Sequence, residues 1–224
     1  YHGGRLRPLG RALIELAAAS TVPVSVHLDH AESTDLCREA VELGFTSIMY
    51  DGSKLPDAQN RETTAEITAF AHEHGVSVEA ELGEVGGKNG VHDPSARTNP
   101  EDAAQFVADT GVDLLAVAVG SSHAMATREA VLDNQLIAAI HELVPVPLVL
   151  HGSSGVPDEG MVAAIQAGMT KINVSTHLNV VFTQGVRQIL DENPKIVDPR
   201  KYVGPATHLV QEEVERLMRL YAQA

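Results

Sequence analysis

Cysteine is almost missing from this chain of 224 residues, and the single one, Cys37, has no partner for an internal disulfide. That points to a reducing compartment, the cytoplasm. Positive charge is also scarce: 16 lysines and arginines stand against 30 acidic residues, a formal net charge of −14. Such a balance offers no broad cationic surface to displace the counterions of a nucleic acid. It also repels an anionic small molecule unless metal, backbone N–H groups or helix N-termini hold that molecule locally. No apolar run is long enough for a membrane span, and the basic opening YHGGRLR leads into a helix carrying Glu15 instead of the core of a signal peptide. What is plentiful is apolar material, 44% of residues, enough for a large core.

That material is distributed in alternation. Apolar, β-branched runs predict strands over 22–28, 46–50, 76–82, 114–119, 147–150 and 171–174, and helical periodicity occupies 34–43, 57–74, 99–110, 133–143 and 158–167 between them. Asn99 followed by Pro100, Glu101 and Asp102 reads as a helix start, with a capping side chain, proline in the first turn and acids against the helix dipole. Gly44, Gly75, Gly111 and Gly168 each stand between a helix and the next strand, where a left-handed residue lets the chain reverse. Repeated helix, glycine, buried strand and polar loop is an α/β pattern with a parallel sheet covered on both faces. No domain boundary is evident, so one domain over 1–224 is expected, with a helical extension from about residue 198.

Chemistry gathers behind the strands. Asp29 and His30, Asp51, Glu81, the stretch from Gly120 to His123, that from His151 to Gly155, and that from Asn173 to Thr176 all follow the carboxyl end of a run. An open doubly wound sheet concentrates such groups at one crevice. Groups spread over six strand ends fit a (β/α)8 TIM barrel, which also builds phosphate sites from its last two βα loops. Six strands are legible where such a barrel has eight, and the chain opens on Tyr1 instead of methionine, so the first two βα units are expected to be missing, roughly 60 residues of a barrel of about 250. His30, His123 and His151, each at the end of a different apolar run, suggest three imidazoles converging on a metal ion. Asp29 is then either a proton carrier or an acceptor that orients a histidine.

The motifs resemble those of the class II, metal-dependent ketose-bisphosphate aldolases, which include fructose- and tagatose-bisphosphate aldolases. The resemblance runs in order through VPVSVHLDH (22–30), GFTSIMYDGSKLP (44–56), VSVEAELGEVGG (76–87), GVDLLAVAVGSSHA (111–124), VPLVLHGSSGVPDE (146–159), GMTKINVSTHLNVVF (168–182) and DPRKYVGPA (198–206). It implies that His30, His123 and His151 bind zinc, that Asp29 moves the proton of the substrate's C4 hydroxyl, and that Asp51 and Glu81 lie near the metal and can help hold a second or displaced ion. Ala124, Gly152, Ser153, Ser154, Asn173, Val174, Ser175 and Thr176 match loops that contact the substrate and its phosphate, with a monovalent cation as a further ligand. Three neutral imidazoles leave a zinc ion positive and with open positions, which suits it to polarise a ketose carbonyl. The activity implied is reversible cleavage of a ketose 1,6-bisphosphate, fructose 1,6-bisphosphate first and its tagatose or other counterparts second, by a homodimer or homotetramer that engages neither membrane nor nucleic acid. A metal hydrolase and an inactive aldolase-like subunit are the competing classes.

Plainer readings stand beside these. Asp51 and Glu81 serve equally as loop anchors, and Gly83, Gly86, Gly87 and Gly90 around Lys88 read as a lid or as an ordinary flexible loop. His2, His72, His74, His92, His141, His177 and His208 read as surface or packing residues. HGSSG does not meet the G-x-S-x-G pattern of a serine nucleophile elbow. Two departures from the family bear on substrate: Ala124 stands where glycine is usual, and Thr127 with Arg128 stands where a lysine often meets phosphate. Arg128 is the candidate replacement cation, with a rigid guanidinium in place of an ammonium.

Overall fold

The computed structural model describes residues 5–83, 97–122, 127–222 and 224. They form an α/β fold with six strands, β1 His27–Ala31, β2 Ser47–Tyr50, β3 Ser77–Glu81, β4 Leu114–Ala116, β5 Leu148–Leu150 and β6 Met169–Ile172, which follow one another in the sheet in chain order. Eight helices among the described residues accompany them: α1 Leu6–Ala18, α2 Thr34–Leu43, α3 Asp57–Glu73, α4 Pro100–Thr110, α5 Asn134–Leu143, α6 Asp158–Ala167, α7 Thr176–Glu192 and α8 Arg200–Tyr221. Packing divides the described residues into two compact units, the first drawn from 1–84, 98–117 and 139–149, the second from 85–97, 118–138 and 150–224.

In the first unit β1 to β5 pair in parallel, each with the next. Parallel pairing needs a crossover, and the helices provide it. Ile48, Val78, Leu115 and Leu148 are fully buried on these strands, with Ile67 of α3 and Phe106 of α4 fully buried beside them. Helix boundaries follow local chemistry. The hydroxyl of Ser33 accepts from the N–H of Leu36 to start α2, and Asn99 does the same for Asp102 to start α4. Gly44 at φ 100° and Gly111 at φ 68° end them in the left-handed region.

The first strand lies later than its apolar pattern predicts, at 27–31 instead of 22–28. Val26 still offers its carbonyl to the N–H groups of Thr46 and Ser47, but Val22 and Val24 are exposed, and Pro23 between them has no N–H for a ladder. The alternation in VPVSV therefore does not mark a paired strand. Pairing with β2 then shifts register between Leu28 and Ala31, the signature of a bulge.

In the second unit the N–H of Asn173, just past β6, donates to the carbonyl of Leu150 at the end of β5. Helices α7 and α8 pack closely there. A Cβ at Gly185 would lie 2.7 Å from the Leu209 side chain and 3.4 Å from Ala206, so glycine lets the two helices approach.

Candidate functional site

In the first unit the bulge in β1 places His30 at φ 50°, the single non-glycine residue with positive φ among those described. A histidine takes that conformation only where neighbours hold it. Here its Nδ1 lies 2.7 Å from Oδ2 of Asp51, the residue just after β2. Asp51 is buried, and its other oxygen accepts from the hydroxyl of Ser53 at 2.6 Å and the N–H of Ser53 at 3.2 Å. Glu81, at the end of β3, is fully buried, and the ligand atoms of His30, Asp51 and Glu81 all lie within 4.8 Å of one another. Asp29 differs from these two acids, its side chain 53% exposed and its Oδ1 3.8 Å from Nε2 of His27.

Three strand ends thus bring one imidazole and two buried carboxylates together. A carboxylate on one ring nitrogen fixes the tautomer and orientation of a ligating histidine and leaves the other nitrogen for the ion. This donor set fits a divalent metal of borderline softness. Asn60 of α3 holds the group from behind: its amide donates to the carbonyls of Glu81 at 3.0 Å and Leu82 at 3.3 Å, and its own oxygen accepts from the hydroxyl of Thr64. Gly52 leaves room for it, because a Cβ there would collide with the Asn60 amide. Asn60 lies outside the motifs that carry the resemblance. A poor helix former inside an otherwise good helix was its one sequence signal.

In the second unit His151 is 99% buried, being 1% exposed, at the end of β5, where its carbonyl accepts from the hydroxyl of Ser121 at 2.6 Å. Gly152 follows at φ 67°, and a Cβ there would lie 2.6–2.9 Å from backbone atoms of Ser122. Both the conformation and the close approach demand glycine. Ser153–Gly155 then form one turn of 3-10 helix. The hydroxyl of Ser153 donates to the carbonyl of Asn173 at 2.5 Å, and the hydroxyl of Ser154 accepts from the N–H of His177 at 3.0 Å. Asn173, Val174, Ser175 and Thr176 thereby meet the 152–155 turn at the start of α7, an arrangement of N–H groups and hydroxyls that suits an anion. Lys171 donates to the side-chain oxygen of Asn173 at 2.8 Å.

Arg128, the candidate replacement cation, is engaged by the 156–158 segment. Its Nε and Nη2 donate to the carbonyl of Val156 at 3.0 and 2.8 Å, and Nη2 also meets Asp158 at 2.5 Å. His123, Ala124 and the glycine loop from Gly86 to Gly90 with Lys88 lie outside the described residues.

The family model for class-II fructose-bisphosphate aldolase matches residues 1–224. The chain is 41% identical over 201 residues to the fructose-bisphosphate aldolase of Staphylococcus epidermidis, which covers 89% of this chain and 70% of the relative. It is 40% identical over 206 residues to that of Geobacillus stearothermophilus, covering 91% and 72%. Among solved structures it is similar to the YdjI aldolase from Escherichia coli, with a TM-score of 0.82 and 32% identity over 96% of this chain and 76% of that one.

Proposed function

Because the chain belongs to the class-II fructose-bisphosphate aldolase family, and is on that account an aldehyde-lyase, we propose that it uses zinc to cleave fructose 1,6-bisphosphate reversibly to dihydroxyacetone phosphate and glyceraldehyde 3-phosphate. The observation that carries the metal reading is the His30–Asp51 contact of 2.7 Å with buried Glu81 beside it. His30, His123 and His151 would hold the ion, Asp51 orients His30, and Glu81 is the acid available to a second or displaced ion. When bound, zinc supplies the electrophile for the ketose carbonyl. The half-exposed Asp29 takes the C4 hydroxyl proton on cleavage and returns it on condensation.

The phosphate of the dihydroxyacetone half is held by N–H groups and hydroxyls of Gly152, Ser153, Ser154, Asn173, Val174, Ser175 and Thr176, with Ala124 near the metal loop. With Arg128 engaged by Val156 and Asp158, close-range donors do the work that a cation would otherwise do. A monovalent cation is a further candidate ligand. The six strands in chain order support the barrel architecture in a single domain over 1–224, with α8 as its helical extension. Cytoplasmic residence and a homodimer or homotetramer complete the proposal. No helix among the described residues is long and apolar enough to cross a membrane.

Chelation followed by zinc return tests the mechanism. Cleavage should vanish when metal analysis shows the ion removed, and it should recover on zinc addition. Undiminished turnover in verified metal-free protein would sink the reading and turn attention to an imine on Lys171, which borohydride trapping would reveal. Running the fructose and tagatose bisphosphates side by side in the same assay assigns the C4 configuration.

A further inference from the structure

The 152–156 loop is gripped at two points, and both grips lead to α8. At Ser154 the hydroxyl is oriented by the N–H of His177, in the first turn of α7. The ring of His177 lies with Nε2 2.7 Å from Oε1 of Glu213 on α8. Glu213 is in turn clasped by Arg216, Nε to Oε2 at 2.8 Å and Nη2 to Oε1 at 2.8 Å. At Val156 the carbonyl is held by Arg128, which also binds Asp158. Asp158 receives Nη1 of Arg216 at 2.6 Å, so the same arginine closes the circuit.

A fork held on two carboxylates has little freedom to turn, and bidentate guanidinium–carboxylate pairs are the geometrically specific ones. The side chains of His177 and Glu213 are mostly buried, at 20% and 17% exposure, where solvent screens the pair less than it would a surface ion pair. The circuit therefore sets where the Ser154 hydroxyl and the first turn of α7 point. Arg216 holds the Glu213 carboxyl down at about 2, against the cost of burial, and His177 adds to the effect.

We propose that Glu213 and Arg216 of α8 are positioning residues for the phosphate loop: acting through His177 and Asp158, they hold Ser154 and the start of α7 in the geometry that binds the phosphate group. This rests on the assignment of the 152–155 and 173–176 loops to phosphate.

The test compares the parent chain with Glu213→Ala and Glu213→Gln, measuring kcat and KM for fructose 1,6-bisphosphate, zinc content, and the Kd of inorganic phosphate by titration. Glu213→Ala should raise both KM and the phosphate Kd about tenfold, the scale of one charged hydrogen bond lost, with kcat changed less than about twofold and zinc retained. Glu213→Gln, which keeps an acceptor for His177, should recover part of that loss. If Glu213→Ala does not fold, the glutamine variant still reads the effect at about threefold. Unchanged KM and phosphate Kd in the folded variants overturns the proposal, as does a fall in kcat and zinc together with KM unmoved. A parent that binds phosphate but does not cleave the bisphosphate refutes the substrate reading alone, and the titration still decides the positioning role. A parent that binds no phosphate overturns both.

Discussion

Asp29 and Asp51, both acids of the proposed site, have opposite surroundings. Asp51 is almost wholly enclosed and committed to His30 and Ser53, whereas Asp29 is open on half its surface. An enclosed carboxylate with its lone pairs engaged orients a ligand; an open one can exchange a proton with substrate. Asp29→Asn should therefore lower turnover by about two to four orders of magnitude, the usual reach of general acid–base catalysis, while zinc stoichiometry stays at the parent level. A parallel loss of metal and rate would make Asp29 a support for the metal instead. Cys37 illustrates the same principle with no function attached: it is fully buried in α2, burial pushes its thiol up to about 12, and it is accordingly a core residue and not a nucleophile.

At the scale of elements, α8 is joined to the rest of its unit by two devices of different chemistry. The Gly185–Ala206 approach is apolar and indifferent to pH. The Glu213–Arg216–Asp158 circuit is ionic. Glu213 has its carboxyl depressed from 4.5 to about 2, and Asp158, despite the opposing effect of burial, is also lowered by its bonds to Arg216 and Arg128. A carboxylate whose folded value lies below its unfolded one stabilises the fold fully above the unfolded value and loses that contribution as pH falls through the folded one. The melting temperature of the parent should exceed that of Glu213→Gln at neutral pH, and the two curves should converge as pH falls from about 5 to about 2. Curves that stay parallel across that window would show that the charge of Glu213 contributes no stability.

For the whole molecule the governing quantity is charge. On the proposed function, a chain at −14 binds a substrate that carries two phosphates. Far from the site the net charge repels such an anion; close in, the proposed N–H, hydroxyl and metal contacts act over distances shorter than the screening length. Raising salt from about 10 mM to about 150 mM shrinks that length from about 30 Å to about 8 Å, which removes the long-range repulsion before it weakens the local contacts. With a weakly binding anion such as acetate, kcat/KM should rise over that interval. A steady fall would mean that a positive field dominates the approach.

Much of the helical framework was legible in residue order. The helices at 34–43 and 158–167 begin and end where periodicity places them, with Gly44 and Gly168 just past their ends, because periodicity and glycine reversals are local chemistry. The strand ends that carry the candidate site residues were legible too, since a parallel α/β sheet presents its loops at the carboxyl ends whatever the details of packing. The start of β1 was not, because apolar alternation does not reveal whether a neighbour is present to pair with, and Pro23 leaves 22–25 outside the ladder. The helix at 176–192 was read as part of a motif, and the roles of Asn60, Arg128, His177 and Glu213 were invisible: their partners lie 21, 28, 23 and 36 residues away. Sequence by itself determined the α/β class, which follows from local pattern and spacing, and, through resemblance of its motifs, the family. Only the tertiary structure decided which carboxylate touches His30, where Arg128 spends its charge and which helix steadies Ser154, because those are outcomes of long-range packing that no short stretch of chain encodes.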